Sequence, residues 1–423
     1  MKRAYKHSMA WLLVCGLFVL TGCEKPEPYR VVRNDALYLS LNAALPDEAD
    51  VPAAKAGDAR YLASDKIRSL RIVLVSQSDD NGSWTVEANE CYTLANTGGY
   101  MPGDLIYAVS HTRHKRIYLF GNCEETVLRN AAGDAVDLRT DYSVFVPDAA
   151  TGRAPVEDFR FSCERGAGHA TANRDAYVPM SAVYQIELPA KIEDIPVVGN
   201  SSHVYTVPKP LYLIRAVTKF TAVYENATAD RAPVNIRVRG WTVSKVAKGS
   251  SYLLARVDDK WRETTKPAGD ETDWQYWLAG EAAKTQDKGD RSYEWMYAYD
   301  LPEPEHEDYV CAYDSTDYYN IYHDSKQVLS DIRPVYLPES KNSVAAGTAA
   351  GPQSYVLKIR TWEWEDDYRL GRAMTYTLTL PECQSLFRNT NVYLNVKFLG
   401  DAVSLQATVC PWERHEVDIP AFE

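Results

Sequence analysis

The chain has 423 residues, of which 45% are hydrophobic and 11% aromatic, and its formal net charge is −12. This length suits two or three domains, each with its own core. The acidic balance argues against a nucleic-acid partner or an anionic membrane surface, because both require clustered Lys and Arg. Its 29 tyrosines, with short alternating runs of Val, Ile, Thr and Trp, favour strands over helices.

The first residues have the layout of an export signal. Lys2, Arg3 and Lys6 form a positive segment, and an apolar run extends from Trp11 to Leu20. That run ends in Leu20-Thr21-Gly22-Cys23, which matches a bacterial lipobox. The alternative is a secretory signal that is cut nearby and followed by an incidental cysteine.

The lipobox predicts how the exported chain is processed. We expect a signal peptide over residues 1–22, cleavage between Gly22 and Cys23, and attachment of outer-membrane lipid to Cys23. Residues 23–35 would then be a tether. Removal of the signal deletes three cations and no anion, which takes the net charge from −12 to −15.

The cysteines left after the lipid site do not form a metal-binding pattern. They are Cys91, Cys123, Cys163, Cys311, Cys383 and Cys410. An exported chain can oxidise such residues, and their number leaves the pairing open. Each predicted half of the chain holds three, so either a bridge crosses between the halves or at least two thiols stay free. No CxxC pair is present, which argues against a zinc or redox site.

In the first half, short apolar runs alternate with turn signals. Strands are predicted at Ala36–Leu45, Leu70–Val75, Trp84–Ala88 and Lys115–Asn122. Pro46–Asp65 is polar and reads as an exposed loop. A short helix is predicted near Glu124–Asn130.

The second half begins with a linker and an alternating strand. Leu188–Pro210 is rich in Pro and Gly and predicts the linker. In Leu211–Tyr224 the even positions are mostly apolar, while Arg215 and Lys219 point the other way, which predicts a half-buried strand. Further strands are predicted at Val234–Val243, Tyr252–Val257, Ser354–Thr361, Met374–Leu380, Val392–Leu399, Leu405–Val409 and Glu416–Ile419.

Many short strands without a sustained helical period predict an all-β protein made of β-sandwiches. We place an N-terminal domain at residues 36–198 and a C-terminal domain at residues 199–423. Between about residues 258 and 330, Trp and Tyr crowd among acidic residues. We interpret this as an aromatic-rich insertion that buries its own rings; the alternative is an exposed stacking surface for a glycan or a partner.

Six short segments, in order along the chain, resemble one family. They are His114–Asn122, Val178–Met180, Leu213–Lys219, Val335–Glu339, Leu386–Asn389 with Val392–Val396, and Val409–Trp412. Together they resemble the fimbrillin family of Bacteroidetes, the subunits of type V pili. The chain departs from that pattern at Thr218, where Ala is usual, at Ser340 in place of Asn, and at Thr390 in place of His. Acidic residues directly after Cys23 resemble the surface-export signal of lipoproteins from the same bacteria.

The resemblance implies two transthyretin-like β-sandwiches in tandem and a surface lipoprotein that becomes a fimbrial subunit. In that family a protease cuts after a basic residue in the loop behind the first strand. The first strand then leaves, and a C-terminal strand of the next subunit fills the groove. The implied partners are other fimbrial subunits and ligands on host or bacterial surfaces.

This mechanism assigns roles to residues of the chain. Ala36–Leu45 is the strand to be lost, and its ten residues would present about five side chains inward. Arg60 in the polar loop is the best-placed residue for cleavage before Tyr61. The rival sites are Lys55, Lys66 and Arg68. Leu405–Val409 and Val417–Ile419 are candidate donor strands; the alternative is that they complete the C-terminal sandwich of their own chain.

No catalytic constellation, cofactor site or metal site is found in the sequence. His111 and His114 precede a strand and have no HExxH frame, and GxSxG, P-loop and GxGxxG patterns are missing. Asp79-Asp80 and Asp366-Asp367 lack EF-hand spacing. The alternative function is therefore another non-enzymatic one, an outer-membrane lipoprotein that binds glycans through its aromatic-rich segment. Stalk, tip and anchor roles all stay open.

Overall fold

The structure is a computed structural model. It describes residues 37–41, 43–44, 67–78, 82–94, 105–124, 126–162, 178–199, 202–228, 234–244, 250–255, 308–312, 319–322, 328–330, 335–341, 355–380, 385–400 and 402–411. In these ranges the regular elements are strands and four short 3-10 helices, so the all-β prediction is confirmed. No helix in the described ranges is long and apolar enough to span a bilayer.

The first half contributes fourteen strands. They are β1 (Leu37–Leu41), β2 (Ala43–Ala44), β3 (Ser69–Gln77), β4 (Trp84–Thr93), β5 (Leu105–Val109), β6 (His114–Gly121), β7 (Leu128–Arg129), β8 (Ala135–Val136), β9 (Arg160–Ser162), β10 (Met180–Glu187), β11 (Val197–Val198), β12 (Ser202–Thr206), β13 (Leu211–Tyr212) and β14 (Ile214–Arg215). The 3-10 helices of this half are Tyr142–Phe145, Pro155–Asp158 and Ile192–Asp194.

The second half continues with thirteen described strands. They are β15 (Val217–Asn226), β16 (Asn235–Ser244), β17 (Ser250–Tyr252), β18 (Asp308–Ala312), β19 (Tyr319–Ile321), β20 (Val328–Ser330), β21 (Val335–Pro338), β22 (Ser340–Lys341), β23 (Val356–Trp364), β24 (Arg372–Thr379), β25 (Ser385–Leu386), β26 (Thr390–Phe398) and β27 (Val403–Pro411). The fourth 3-10 helix is Tyr368–Leu370.

The first sandwich packs sheet 1 (order β11-β12-β1-β5) against sheet 2 (order β14-β10-β6-β3-β4). Strand β3 explains why the run LRIVLV does not alternate. Its Leu70, Ile72 and Leu74 face the core between the two sheets, whereas Val73 and Val75 face a second cluster on the opposite side. Because both faces of β3 are covered, its core-facing positions on both sides are apolar, and the buried Arg71 within it is paired with Glu124 at 2.6 Å.

The second sandwich packs sheet 3 (order β20-β15-β26-β27, with β21 also on β15) against sheet 4 (order β18-β16-β23-β24, with β19 also on β16). Its core contains Phe220 and Tyr224 from β15, Trp241 from β16 and Ile359 from β23. The alternating patterns of β23 and β26 supply inward residues every second position, as expected for two-layer packing.

A smaller sheet of order β17-β9-β7-β8 joins the two halves of the chain. Strand β17 pairs antiparallel with β9, so that Tyr252 lies opposite Arg160. The apolar cluster behind sheet 2 contains Phe145 and Phe161 from the first half together with Leu253 from the second. The halves therefore share a core and are not connected by a free linker.

The segment predicted to be a linker is part of the first sandwich. Strands β11 and β12 lie within Leu188–Pro210, and β12 pairs with β1. Residues on both sides of the predicted boundary at 198 thus pair within sheet 1. Ile195 and Val207 are buried in the first core, and this apolar anchoring is why a Pro-rich run is held as strands.

Two further sequence predictions are wrong in their details. Leu211–Tyr224 is three strands, and both of its faces are buried because the second apolar cluster and the other half of the chain cover the face predicted to be exposed. The short helix predicted at Glu124–Asn130 is replaced by turns and β7. Leu128 there is buried and pairs with β9, and this packing overrides helix propensity.

The aromatic-rich segment is described only in part. Strands β18, β19 and β20 fall within residues 258–330, and they pair with β16 and β15 of the second sandwich. The remainder of the predicted insertion lies outside the described residues.

Candidate functional site at the first strand

Strand β1 occupies an interior position in sheet 1. It pairs in parallel with β12, where Leu37 lies opposite His203, and antiparallel with β5, where Leu37 lies opposite Val109. We call the space that β1 fills between β12 and β5 the first-strand groove. Without β1, both neighbouring strands would present unpaired backbone groups.

Three leucines of β1 fill the inner side of the groove. Leu37, Leu39 and Leu41 are 4%, 0% and 2% exposed and belong to the core of the first sandwich. Their burial contributes about 5 to 9 kcal/mol in gross terms, at about 1.5 to 3 kcal/mol for each side chain. The sequence predicted about five inward positions; the strand supplies three because it ends at Leu41 and resumes only as the two-residue β2.

Side chains of sheet 2 hold the β5 wall of the groove. The hydroxyl groups of Tyr107 in β5 and Tyr92 in β4 lie 2.9 Å apart and share a hydrogen bond. Just after β5, the Ser110 carbonyl accepts a hydrogen bond from Lys115 Nζ at 2.7 Å, and Lys115 also forms a 3.0 Å ion pair with Glu87. These contacts involve no residue of β1.

The β12 wall is held in a similar way. Val204 N donates to the Pro196 carbonyl at 2.9 Å, and His203 Nδ1 lies 3.0 Å from the Ile195 carbonyl. Beyond β12, Tyr184 of β10 donates through its hydroxyl to the Tyr212 carbonyl at 2.7 Å, which fixes β13 against sheet 2. Strand β13 is the partner of β2.

Hydrogen bonds of Asn122 hold the beginning of β3 in place, and we call this set of bonds the Asn122 clamp. Asn122 has a positive φ of 57° and is 2% exposed. Its Oδ1 accepts a hydrogen bond from Arg68 N at 2.7 Å, and its Nδ2 donates to the Val178 carbonyl at 3.0 Å. Its own N donates to the Ser69 carbonyl at 2.9 Å. Asn122 therefore ties down the beginning of β3, directly after the loop that follows β1 and β2.

This geometry bears on the rival cleavage sites. Arg68 is bound through its backbone N to Asn122, and its carbonyl accepts from Leu94 N at 2.6 Å. A protease requires an extended, accessible peptide, so Arg68 is a poor site. Arg60, Tyr61, Lys55 and Lys66 lie outside the described residues, as do Gly22 and Cys23.

A second polar cluster binds the second sandwich to the segment Ser250–Leu254, whose strand β17 pairs with β9 of the first half. Arg388 and Glu339 are 0% and 1% exposed and form a bidentate ion pair, in which Nε donates to Oε2 at 2.8 Å. Arg388 also donates to the carbonyls of Leu253 at 2.9 Å and Tyr252 at 2.8 Å. We call the cluster of Arg388, Glu339, Tyr252 and Leu253 the junction.

The six segments that resemble fimbrillins are linked to one another near the junction. Ala216 N donates to the Pro179 carbonyl at 2.9 Å, Asn389 N donates to the Val217 carbonyl at 3.0 Å, and Thr218 Oγ1 donates to the Phe387 carbonyl at 2.7 Å. The bond from Asn122 to Val178, the ion pair described above and the pairing of β26 with β27 complete the path. These segments thus hold the sandwiches together, whereas no leucine of β1 belongs to them.

Two cysteines are described as free thiols, Cys91 and Cys123. Burial raises the pKa of both, and nearby Glu124 raises it further. Cys123 Sγ lies 3.3 Å from the Gly121 carbonyl, beside the Asn122 clamp. Cys163 and Cys383, and the side chains of Cys311 and Cys410, lie outside the described part of the chain.

One candidate donor segment is engaged in the chain's own sheet. Leu405–Val409 lies within β27, which pairs with β26 from Val403 to Pro411. Val417–Ile419 lies outside the described residues.

Among the residues that the structure describes, no group of three or more His, Cys, Asp or Glu side chains is arranged to hold a metal ion.

Several residues of the groove were missed by sequence reasoning. The wall strand β12 was assigned to the linker, and Lys115 was noted only as part of a strand. A signal was present in the alternating run from Ser202 to Thr206, which the surrounding Pro and Gly obscured. The cross-links from Tyr92 and Lys115 have no local sequence signal, because they join strands that are distant along the chain.

The chain matches no family model and no curated protein. Solved structures do match. A candidate cell adhesion protein from Bacteroides eggerthii has 10% identity, a TM-score of 0.43 and coverage of 92% of this chain and 98% of its own. A second, from Parabacteroides distasonis, has 11% identity, a TM-score of 0.43 and coverage of 89% and 98%. The tip fimbrial protein Mfa3 from Porphyromonas gingivalis has 10% identity, a TM-score of 0.42 and coverage of 89% and 99%.

These structure neighbours are candidate cell adhesion proteins and a fimbrial protein from Bacteroidetes, the kind of protein that the six sequence segments resemble. At these identities and TM-scores, no residue role is transferred from them to this chain.

Proposed function

We propose that this chain is a subunit of a cell-surface fimbria, exported as a lipoprotein through Cys23 and assembled by strand exchange at the first-strand groove. It has no catalytic role in this proposal. The observation that carries it is the position of β1, an interior strand with three buried leucines. A single covalent connection joins β1 to the following strands of the sandwich. That connection runs through residues 45–66 and contains Arg60.

After a cut behind Arg60, only backbone hydrogen bonds to β12 and β5 and the burial of its leucines would hold β1 in place. The gross burial of about 5 to 9 kcal/mol is of the size that another alternating strand can replace. The β5 wall of the groove has its own cross-links to sheet 2, and the β12 wall is bonded to the carbonyls of Ile195 and Pro196, so the groove is ready to receive a replacement strand. A groove that does not need to form anew lowers the entropic cost of strand binding.

The donor in this proposal is the segment after β27, which includes Val417–Ile419. Strand β27 is already paired with β26, so its own backbone groups are in use on that side. The segment that follows carries alternating apolar residues in sequence, as strand addition requires. Other copies of this chain or related subunits are the partners.

Strand exchange can be tested on purified chain in which Cys23→Ser prevents acylation. The chain is cut with an arginine-specific protease and mixed with a labelled peptide of residues 36–45. We expect the cut chain to take up the peptide and the uncut chain to exclude it. A Leu39→Asp peptide is the matched control, because a carboxylate cannot enter the apolar core without a large cost.

A peptide of residues 412–423 tests the donor assignment in the same assay. Competition by this peptide against the β1 peptide is the expected result. Equal uptake of the β1 peptide by cut and uncut chain would refute the groove as the exchange site. Equal uptake of the Leu39→Asp peptide would show that binding does not use the core-facing positions.

A further inference from the structure

The outer face of sheet 4 brings cations and aromatic rings together on neighbouring strands. We call it the arginine–tryptophan face and define it by Arg239 of β16, by Lys358, Arg360 and Trp362 of β23, and by Tyr368 of the following turn. It lies outside the aromatic-rich segment of residues 258–330. It is also separate from the first-strand groove, which belongs to the other sandwich.

The Trp362 ring is held in place by its own loop. Its Nε1 donates to the Tyr368 carbonyl at 2.9 Å, and the Trp362 and Tyr368 ring centroids are 5.9 Å apart. Gly371 follows that turn, and a Cβ at this position would lie 2.3 Å from Trp362 Nε1. Only glycine therefore allows the loop to close on the indole ring in this position.

Two arginines on β16 have different surroundings. Arg237 donates from Nε to Asn320 Oδ1 at 2.7 Å and from NH1 to the Tyr368 hydroxyl at 2.8 Å, which is the pattern of a structural residue. Arg239 is exposed, and its guanidinium carbon lies 4.8 Å from the centre of the Trp362 ring. Among the described residues Arg239 has no ion pair and no side-chain hydrogen bond.

Stacking prepares Arg239 to bind an anion. A guanidinium that lies over an indole ring is held in orientation by the cation–π attraction, while its in-plane N–H groups stay available. Those groups match a carboxylate or sulfate in a two-bond geometry. Arg239 sits at a β-bulge, where the register shifts between Val238 and Gly240, and Gly240 lies opposite the exposed Arg360. Arg360 also has no ion pair within the described part of the chain.

The face is cationic although the whole chain is acidic. The outward positions of β16, β23 and β24 that the structure describes carry no carboxylate; Glu363 points inward and accepts from Thr361 Oγ1 at 2.9 Å. The exposed acidic residues Glu365, Asp366 and Asp367 lie beyond the end of β23, and Asp367 directly precedes Tyr368. On a chain of net charge −12, a local cationic patch is a place where an anionic group can bind.

We propose that the arginine–tryptophan face binds an acidic polysaccharide. In this proposal Arg239 and Arg360 hold a carboxylate or sulfate group, and the edge of Trp362 packs against the apolar C–H face of the sugar ring. Lys358 adds a further positive charge. The exposed threonines Thr375 and Thr377, on the adjacent strand, offer hydroxyl groups to neutral sugar hydroxyls.

The proposal is tested with the full mature chain carrying Cys23→Ser, in affinity electrophoresis through gels that contain a polymer. Polygalacturonate supplies carboxylates, dextran sulfate supplies sulfates, and unmodified dextran is the neutral reference. We expect at least one of the charged polymers to retard the chain and the neutral polymer to have no effect. The polymer that retards it identifies the preferred anion.

Variants then locate the site. Arg239→Ala combined with Arg360→Ala is expected to weaken retardation about tenfold or more, because both charged hydrogen-bond donors to the anionic group are lost. Arg113→Ala is the matched control, since it removes an exposed arginine of the first sandwich and is expected to leave retardation unchanged. Thermal unfolding verifies that both variants are folded.

Several outcomes would overturn the proposal. One is the absence of retardation by either charged polymer, and another is an equal loss of retardation in the Arg113→Ala and Arg239/Arg360 variants. Equal competition by polyglutamate or by duplex DNA would show that the face binds anions without regard to the sugar. Undiminished retardation in a folded Trp362→Ala variant would remove the ring from the site.

Discussion

The first-strand groove and the junction are both buried, but they are built from different interactions. Strand β1 contributes backbone hydrogen bonds to two neighbouring strands and three buried leucines, of which Leu39 is fully buried. The junction contributes a buried ion pair whose arginine also binds two carbonyls. Backbone ladders and apolar packing accept any strand of suitable pattern, whereas a bidentate ion pair requires particular side chains.

This difference separates the exchangeable part of the molecule from the permanent part. In the proposed assembly the groove is emptied and refilled, and the side chains of β1 fit this proposal because none of them forms a charged pair with a specific partner. The junction keeps the two sandwiches in one arrangement while that happens, since a half-satisfied buried charge is strongly unfavourable. Substitutions in the two regions should therefore behave differently.

The largest expected effect is at the junction. Arg388→Met leaves Glu339 buried without its partner and should lower the free energy of unfolding by about 3 to 5 kcal/mol. Urea unfolding measures the change. The double variant Arg388→Met with Glu339→Leu should recover much of the loss, and Lys397→Met, at a 43% exposed ion pair, should cause almost none. A single Arg388 variant as stable as the parent chain would show that the ion pair does not hold the junction.

Truncation in the groove should have the next largest effect. Leu39→Ala removes a fully buried side chain and should cost about 2 to 5 kcal/mol. The loss should be confined to the first sandwich, which hydrogen exchange of β5 and β12 amides would show. Val197→Ala, at a 56% exposed position on the edge strand of the same sheet, is the control. Equal protection of those amides in the Leu39 variant and the parent would contradict the role of β1.

The Asn122 clamp should have a smaller effect, because it consists of neutral hydrogen bonds. Asn122→Ala loses the side-chain hydrogen bonds to Arg68, Ser69 and Val178 and places alanine at a positive φ, so a loss of about 1 to 3 kcal/mol is expected. Asn122→Gly avoids the strain of a positive φ but also lacks the side-chain hydrogen bonds. Its stability should therefore lie between that of the parent chain and that of Asn122→Ala. Thermal unfolding would rank the variants. If Asn122→Gly were as stable as the parent, the side-chain bonds would contribute nothing.

The smallest expected effect is a difference in thiol labelling rate between Cys91 at the surface and Cys123 beside the Asn122 clamp. The pKa of Cys91 and of Cys123 is raised by burial, so both should react more slowly than a free thiol at mildly alkaline pH, and Cys123 should be the slower. Their raised pKa values stabilise the fold below the ordinary thiol pKa, and this contribution declines as pH rises above it. Peptide mapping after alkylation measures each rate. Faster reaction at Cys123 than at exposed Cys91 would contradict the packing of the clamp.

The sequence predicted the long strands of the second sandwich because their alternation is local. Strands β16, β23, β24 and β26 fall close to their predicted ranges, and the all-β class follows from them. The misplaced linker shows the limit of this approach. Pro and Gly near β11 and β12 predict irregular structure, and only the distant pairing with β1 makes those residues strands.

The contacts that define the groove and the junction depend on distant parts of the chain. Arg388 and Glu339 are 49 positions apart, and the carbonyls that Arg388 binds are more than 130 positions away. Each segment is recognisable in sequence, but the pairing between segments is not. The family resemblance therefore indicated the frame of the molecule and the role of β1, while the two strands that form the walls of its groove, β12 and β5, emerged only from the fold.

The most direct test of strand exchange is the N-terminus of the chain in assembled fimbriae, measured by N-terminal sequencing and intact mass after isolation from the cell surface. The account predicts a chain that begins at Tyr61, without lipid and without β1. A chain in the fimbria that begins at acylated Cys23 and retains residues 37–41 would contradict it, because the first-strand groove would then be filled by its own strand.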